Sequence, residues 1–437
     1  MEPLLFVYIA ILLLAALLST RLMKLLKLPN VTGYIITGII MGPFVFGLFF
    51  NNFTYDGIKD SPIFHHVDKI GWLSTMALGF IAFSIGTSFK KTTIKSVGKR
   101  VLVITILEAI GASVLVVGSL LVAHFINRKA VPIELVLTLG AIASATAPAA
   151  TLMVIKQYKA RGPLVNTLLP VVALDDAAAL ILFAILFQIA AAIASGGELS
   201  FYKMIGKPLI EIGLSLAIGS LLGLLISFLN RFFKSRNNKL VLCIFAVFSS
   251  LGLYVLFRQP YMLGGFELSS LLMCMMAGSL YINLCKDADK TLDVMDRVTS
   301  PIFMMFFVLS GASLDLSIFA DGKSAGLVLL IAFIYIIFRV LGKYLGALLG
   351  ANISHCEPQV KKYLGFTLVP QAGVAIGLAT TASKLFNEAG ANRSGSLVLA
   401  IVLTSTLIYE LVGPLLAKFA LSKAGEIPNQ EVQNKQI

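Results

Sequence analysis

Two adjacent carboxylates, Asp175 and Asp176, stand in the middle of the apolar run Val171-Val172-Ala173-Leu174-Asp175-Asp176-Ala177-Ala178-Ala179-Leu180. Neighbours on a helix point about 100° apart, so one acid can line a wet cavity while the other meets a partner helix. Two carboxylates this close resist being ionised together, and removal from water adds to that resistance. A carboxylate balanced between its two forms can trade a proton for a hard monovalent cation. Three more charges fall inside apolar runs: Glu108 in one, and Arg339 and Lys343, four residues apart on one face, in another. Ionisable groups inside a membrane cost about 2.5–3.5 kcal/mol each on insertion scales and need partners. Arg339 is therefore expected to pair with Asp175, with Glu108 or with both. Lys343 is expected nearer the end of its span, where it can snorkel. Glu410 reads as an interfacial acid.

The elements that must hold these residues follow from composition. Of 437 residues, 58% are hydrophobic and only 13% charged, against about 25% charged in average soluble chains; mean hydropathy is +0.91. The bilayer is the solvent. A soluble enzyme, a secreted disulfide scaffold and a disordered tail protein are excluded. So is a β-barrel, because the apolar runs are continuous instead of alternating. Four scattered cysteines and four histidines show no disulfide framework and no metal-ligand spacing. The net charge of +13 could suggest nucleic acid, but Lys and Arg crowd the connections on one side of the membrane and the C-terminal tail. By the positive-inside rule that asymmetry is topological, with the N-terminus outside and the C-terminus cytoplasmic.

Hydropathy gives about thirteen spans, an all-α polytopic membrane protein. Six spans, one linker (Gly206–Phe232) and six more make an inverted repeat, an architecture of secondary transporters with the site at the midplane. Two counterpart spans support the pairing. Pro132–Ile155 carries Ser144-Ala145-Thr146-Ala147-Pro148, and Tyr363–Leu385 carries Val369-Pro370-Gln371-Ala372-Gly373. Each places a proline and small or polar residues at mid-membrane, where the ring removes a helical hydrogen bond. Backbone freed at that depth is tolerated only inside protein or along a wet cavity. Both spans are expected to be broken helices. A shorter span is expected at Ser300–Leu316.

In this order, several motifs resemble one family: Leu28-Pro29 with Gly33-Tyr34, Gly38 and Gly42-Pro43; Ser144-Ala145-Thr146 with Pro148; Asp175-Asp176; Phe306-Phe307 with Gly311 and Leu314-Asp315; Arg339-Val340-Leu341-Gly342-Lys343; and Pro370-Gln371-Ala372-Gly373. From about Leu4 to Phe419 the chain resembles the sodium/proton exchanger superfamily, in its bacterial cation:proton antiporter branch of NapA-type antiporters and Kef-type efflux systems. The resemblance implies a homodimer in the cell's inner membrane, with lipid, monovalent cations and protons as partners, no nucleic acid and no cofactor. It implies scaffold helices at 1–98 and 236–320, core helices at 99–197 and 321–422, a linker at 198–235 and a cytoplasmic tail at 423–437. Asp176 matches the cation- and proton-carrying carboxylate, and Asp175 the acid paired with the basic residue at the Arg339 position. Thr146 and its neighbours, Ser144 included, match an unwound segment that supplies oxygen ligands to the transported Na⁺. Three positions depart from the pattern: Arg339 replaces the lysine common in electrogenic members, Ala147 an aspartate of the eukaryote-type branch, and Gln371 a basic residue of several relatives. Arginine is effectively never deprotonated, so with Arg339 holding Asp175 ionised, one-for-one electroneutral exchange is expected.

The expected activity is thus Na⁺(Li⁺)/H⁺ antiport by alternating access, not enzymatic catalysis. Its rivals are K⁺/H⁺ exchange or Kef-like efflux, and a sodium-coupled solute symporter. An intramembrane aspartyl protease is disfavoured, because adjacent aspartates cannot straddle a peptide bond from facing helices.

Overall fold

The computed structural model describes residues 3–42, 71–87, 89–195, 202–257, 268–312, 325–388 and 390–428. Pro43, Leu314 and Asp315 lie outside them. Among the described residues regular structure is helical throughout. In chain order the α-helices are α1 (Pro3–Leu25), α2 (Asn30–Met41), α3 (Gly71–Gly86), α4 (Lys91–Ile126), α5 (Ile133–Ile142), α6 (Pro148–Tyr158) and α7 (Pro163–Ser195). There follow α8 (Lys207–Leu229), α9 (Arg236–Phe257), α10 (Ser270–Leu284), α11 (Ala288–Ala312), α12 (Ala325–Ile353), α13 (Pro358–Thr367), α14 (Gly373–Glu388) and α15 (Asn392–Lys423).

Seven of these, α1, α4, α7, α8, α9, α12 and α15, are long and apolar enough to cross a bilayer singly. Their outward faces are apolar: Phe125 is 68% exposed and Phe333 61%. In water such faces would drive aggregation; in lipid they need no cover. The protein is a polytopic all-α membrane protein. Both expected interruptions are present, α5 giving way to α6 and α13 to α14. The expected span Ser300–Leu316 differs, since its helix α11 starts at Ala288. A hydropathy boundary stops at the first cluster of charges, whereas a helix continues into water with Asp289, Lys290, Asp293 and Arg297 on its exposed face.

The helices cluster into two compact units, Met1–Lys90 with Ser215–Ser317 and Lys91–Leu214 with Ile318–Ile437. In the first, α2 lies against α11 and α3 against α10. An inverted repeat exchanges α2 with α10 and α3 with α11, so it carries one pair into the other. In the second unit the dominant pair is α4 with α12, counterparts of each other in the repeat. Glycines spaced by four on α12 set this contact. A Cβ at Gly342 would sit 2.5 Å from the Gly111 carbonyl oxygen, and one at Gly346 would collide with Leu107 and lie 2.6 Å from the Glu108 Cα. Small residues on such a stripe let membrane helices approach backbone to backbone. The approach brings Lys343 level with Glu108.

Candidate functional site

The site lies inside the second unit, on three helices and two interruptions. Helix α7 carries Asp175 and Asp176, α4 carries Glu108, α12 carries Arg339 and Lys343, and the two interruptions supply backbone. The first turn of α7 is fixed from outside: the buried Glu426 carboxylate, just past α15, accepts from the Leu164 N–H at 2.6 Å and the Val165 N–H at 2.9 Å. A carboxylate there satisfies amides that have no helical partner and complements the positive helix end. Gly425, at φ +74, turns the chain to bring Glu426 into place.

The first interruption is extended at Ala147, and Pro148 opens α6 at its first turn, where a missing N–H costs nothing. The two interruptions meet directly. The Ala147 N–H donates to the Pro370 carbonyl at 2.8 Å. Gln371 spans the gap as well, its amide donating to the Ile142 carbonyl at 2.9 Å while its own oxygen accepts from the Tyr335 hydroxyl at 3.1 Å. Thr151 donates to the Thr367 carbonyl at 3.1 Å, and Thr146 makes a long contact of 3.5 Å with the Leu368 carbonyl. The Ser144 hydroxyl turns back to the Ala141 carbonyl at 2.7 Å, so at this residue the carbonyl, not the hydroxyl, faces the charges.

The cations divide the work differently from the expectation. Arg339 is fully buried and pairs with neither Asp175 nor Glu108. Its guanidinium donates to the carbonyls of Ala143 at 3.0 Å, Ala145 at 2.6 Å and Val369 at 2.8 Å, and it packs 4.5 Å above the Tyr409 ring. These carbonyls lie where α5 and α13 end, and the negative ends of two half-helices attract a cation. The planar fork of arginine reaches several acceptors at once. The ion pairs belong to Lys343, which does not snorkel: it is fully buried, with its ammonium 2.5 Å from Glu108 Oε2 and 3.0 Å from Asp175 Oδ2. It also donates to the Ser144 carbonyl. Glu410, expected at the interface, is buried too, with 4% of its surface exposed.

Asp176 stands apart. It is 4% exposed, and its Oδ1 has no hydrogen-bond partner among the described residues. The Asp175 Oδ1 likewise has no hydrogen bond, but Asp175 has an ion pair with Lys343 through its other oxygen, and Asp176 has none among the described residues. Glu108, Asp175 and Asp176 set three acids against the two bases Arg339 and Lys343, so one further positive charge, a proton or a metal cation, balances the group. Among the described residues no three His, Cys, Asp or Glu side chains gather as a resident metal site requires. Pro148, Pro370, Gln371 and Gly373 all fall in or beside the interruptions. The residues that sequence reasoning missed are the glycine stripe Gly342, Gly346 and Gly350, the aromatic shelf of Tyr335 and Tyr409, and Glu426. The four-residue glycine spacing was the readable signal; the tail carboxylate left none.

A family model described as "Sodium/hydrogen exchanger, transmembrane" matches residues 9–418. A search of curated proteins finds no match. Among solved structures, that of the sodium proton antiporter MjNhaP1 from Methanocaldococcus jannaschii at pH 8 is similar with a TM-score of 0.68 and 17% identity, over 96% of this chain and 98% of that one. An electron-microscopy structure of the same antiporter is similar at 0.69 and 17% identity, over 97% and 96%. At that identity the likeness speaks for the fold.

Proposed function

The chain belongs to the sodium/hydrogen exchanger family, and from that premise we propose that Asp176 takes up either one monovalent cation, Na⁺ or Li⁺ by preference, or one proton, and carries them in opposite directions. The protein is a cation/proton antiporter and not an enzyme. The observation that carries the finer reading is the unpartnered Asp176 oxygen beside an Asp175 already held by Lys343. A buried acid without a partner is costly unless it binds something. Oxygen donors are the only ones the interruptions offer, through carbonyls and hydroxyls, and hard cations prefer them. The sodium proton antiporter named above shares the fold, which supports Na⁺ as the cargo.

Competition for one carboxylate couples the two fluxes without a gate that senses both ions. The second unit is the moving core and the first the scaffold of a homodimer in the inner membrane, with the N-terminus outside. The contact on which the electroneutral expectation rested is absent, because Arg339 is occupied by carbonyls. Lys343 takes its place, and because Glu108 also holds it, it keeps a carboxylate partner when Asp175 turns toward a passing cation. Asp176 is then the single exchanging group and exchange runs one for one. In proteoliposomes carrying a ΔpH, Na⁺ and Li⁺ should dissipate the gradient at lower concentrations than K⁺, and Asp176→Asn should abolish the effect. An Asp176→Asn protein that exchanged normally would overturn the assignment. An imposed potential should leave the wild-type rate unchanged.

A further inference from the structure

The first unit holds a second charged recess that the transport reading does not use. It encloses about 490 Å³ where α8 ends, α9 begins, α10 ends and α11 begins. Arg231, Lys234, Lys239 and Lys286 line it, with Asp287 the one acid among its lining residues. That acid is already shared: it lies 3.5 Å from the Lys239 ammonium and 3.6 Å from that of Lys290. Arg231, Lys234 and Lys286 form no ion pair with any described residue, so the recess keeps a positive excess. Ser227, 8% exposed, also lines it, with its hydroxyl beside the Cys285 thiol.

We infer that this recess binds a phosphate-bearing anion. A buried hydroxyl donor, an arginine fork and several ammoniums match the acceptor oxygens of a phosphate, and a simple halide would leave most of these donors unused. Two sources share that chemistry, the headgroup of an anionic phospholipid and free phosphate. Phe233 and Leu284, 38% and 53% exposed, also line it, and give acyl chains an apolar shelf that a free ion does not need. The inference stands whether or not Asp176 is the exchanging group.

The test uses the full-length protein, stripped of lipid in a neutral detergent, with thermal unfolding as the readout. One arm adds phosphatidylglycerol or, at the same mole fraction, phosphatidylcholine. The other adds N-methylglucamine phosphate or chloride at equal ionic strength. A rise in Tm with phosphatidylglycerol alone identifies a lipid headgroup, and one with phosphate identifies the free ion; either supports the recess. The variant R231Q/K234Q/K286Q should need at least about tenfold more of the active probe for half the shift, which at 1.4 kcal/mol per decade is a single strong charged contact. No shift with any probe, or an unchanged response in the variant, overturns the inference. Should the triple variant fail to fold, Asp287→Asn decides: removing the recess's one acid should tighten binding several-fold, and unchanged or weaker binding counts against it.

Discussion

The two interrupted helices are counterparts in an inverted repeat, yet they are held by different chemistry. At the first interruption the carbonyls of Ala143 and Ala145 accept from Arg339, and that of Ser144 accepts from Lys343. At the second, only the Val369 carbonyl meets a cation. Its neighbours are satisfied by neutral donors: the Ala147 N–H at Pro370 and, one turn back, the Thr151 hydroxyl at Thr367. The repeat therefore supplies the same break twice, and α12 sets charged donors on three carbonyls of the first and on one of the second. The first break is the one tied through Lys343 to Asp175.

Substitutions can break that contrast, beginning with the largest effect. Lys343→Met leaves Glu108 and Asp175 as buried acids without their cation. Removing one partner of a buried pair costs about 3–5 kcal/mol, so Tm in detergent should fall sharply and exchange in liposomes should disappear. Arg339→Gln strips three carbonyls of a charged donor, each such bond contributing about 1.5–3 kcal/mol; because glutamine recovers one contact, the net loss should be nearer 3 kcal/mol. It should slow exchange without abolishing it, since Asp175 keeps Lys343. An Arg339→Gln loss of stability as large as that of Lys343→Met, with exchange also gone, would dissolve the division of labour between the two cations. Gln371→Leu, which unlinks the Ile142 carbonyl and the Tyr335 hydroxyl, should cost about 2 kcal/mol by leaving buried polar groups unpaired. Thr151→Val touches the second break alone; a loss of about 1 kcal/mol with unchanged exchange would sharpen the comparison.

The interruptions were legible because a mid-span proline beside small residues is a local signal, repeated here at Pro148 and Pro370. The acids were legible because carboxylates at bilayer depth are expensive. Which cation meets which acid was not. Spacing puts Arg339 and Lys343 on one face of α12, but their level against α4 depends on how far the helices slide past one another. Gly342 and Gly346 fix that register by backbone contact with Gly111 and Glu108, and the fixed register lifts Lys343 to Glu108 while Arg339 reaches the half-helix ends. The same limit applies to Glu426, whose hold on α7 joins residues 262 apart in sequence. Local patterning carries no trace of it. The stretch of α11 before Ser300 was not legible for a different reason, since hydropathy marks the edge of the membrane and not the end of a helix.

The central claim is that proton and cation compete for one carboxylate. It is tested most directly by the apparent KM for Na⁺ in proteoliposomes, measured across a series of pH values equal on both sides. On the acidic side KM should climb about tenfold per pH unit, the value of one proton in free energy, while the rate at saturating Na⁺ holds steady. A KM that stays flat while the saturating rate falls would mean that the two ions never contend for Asp176.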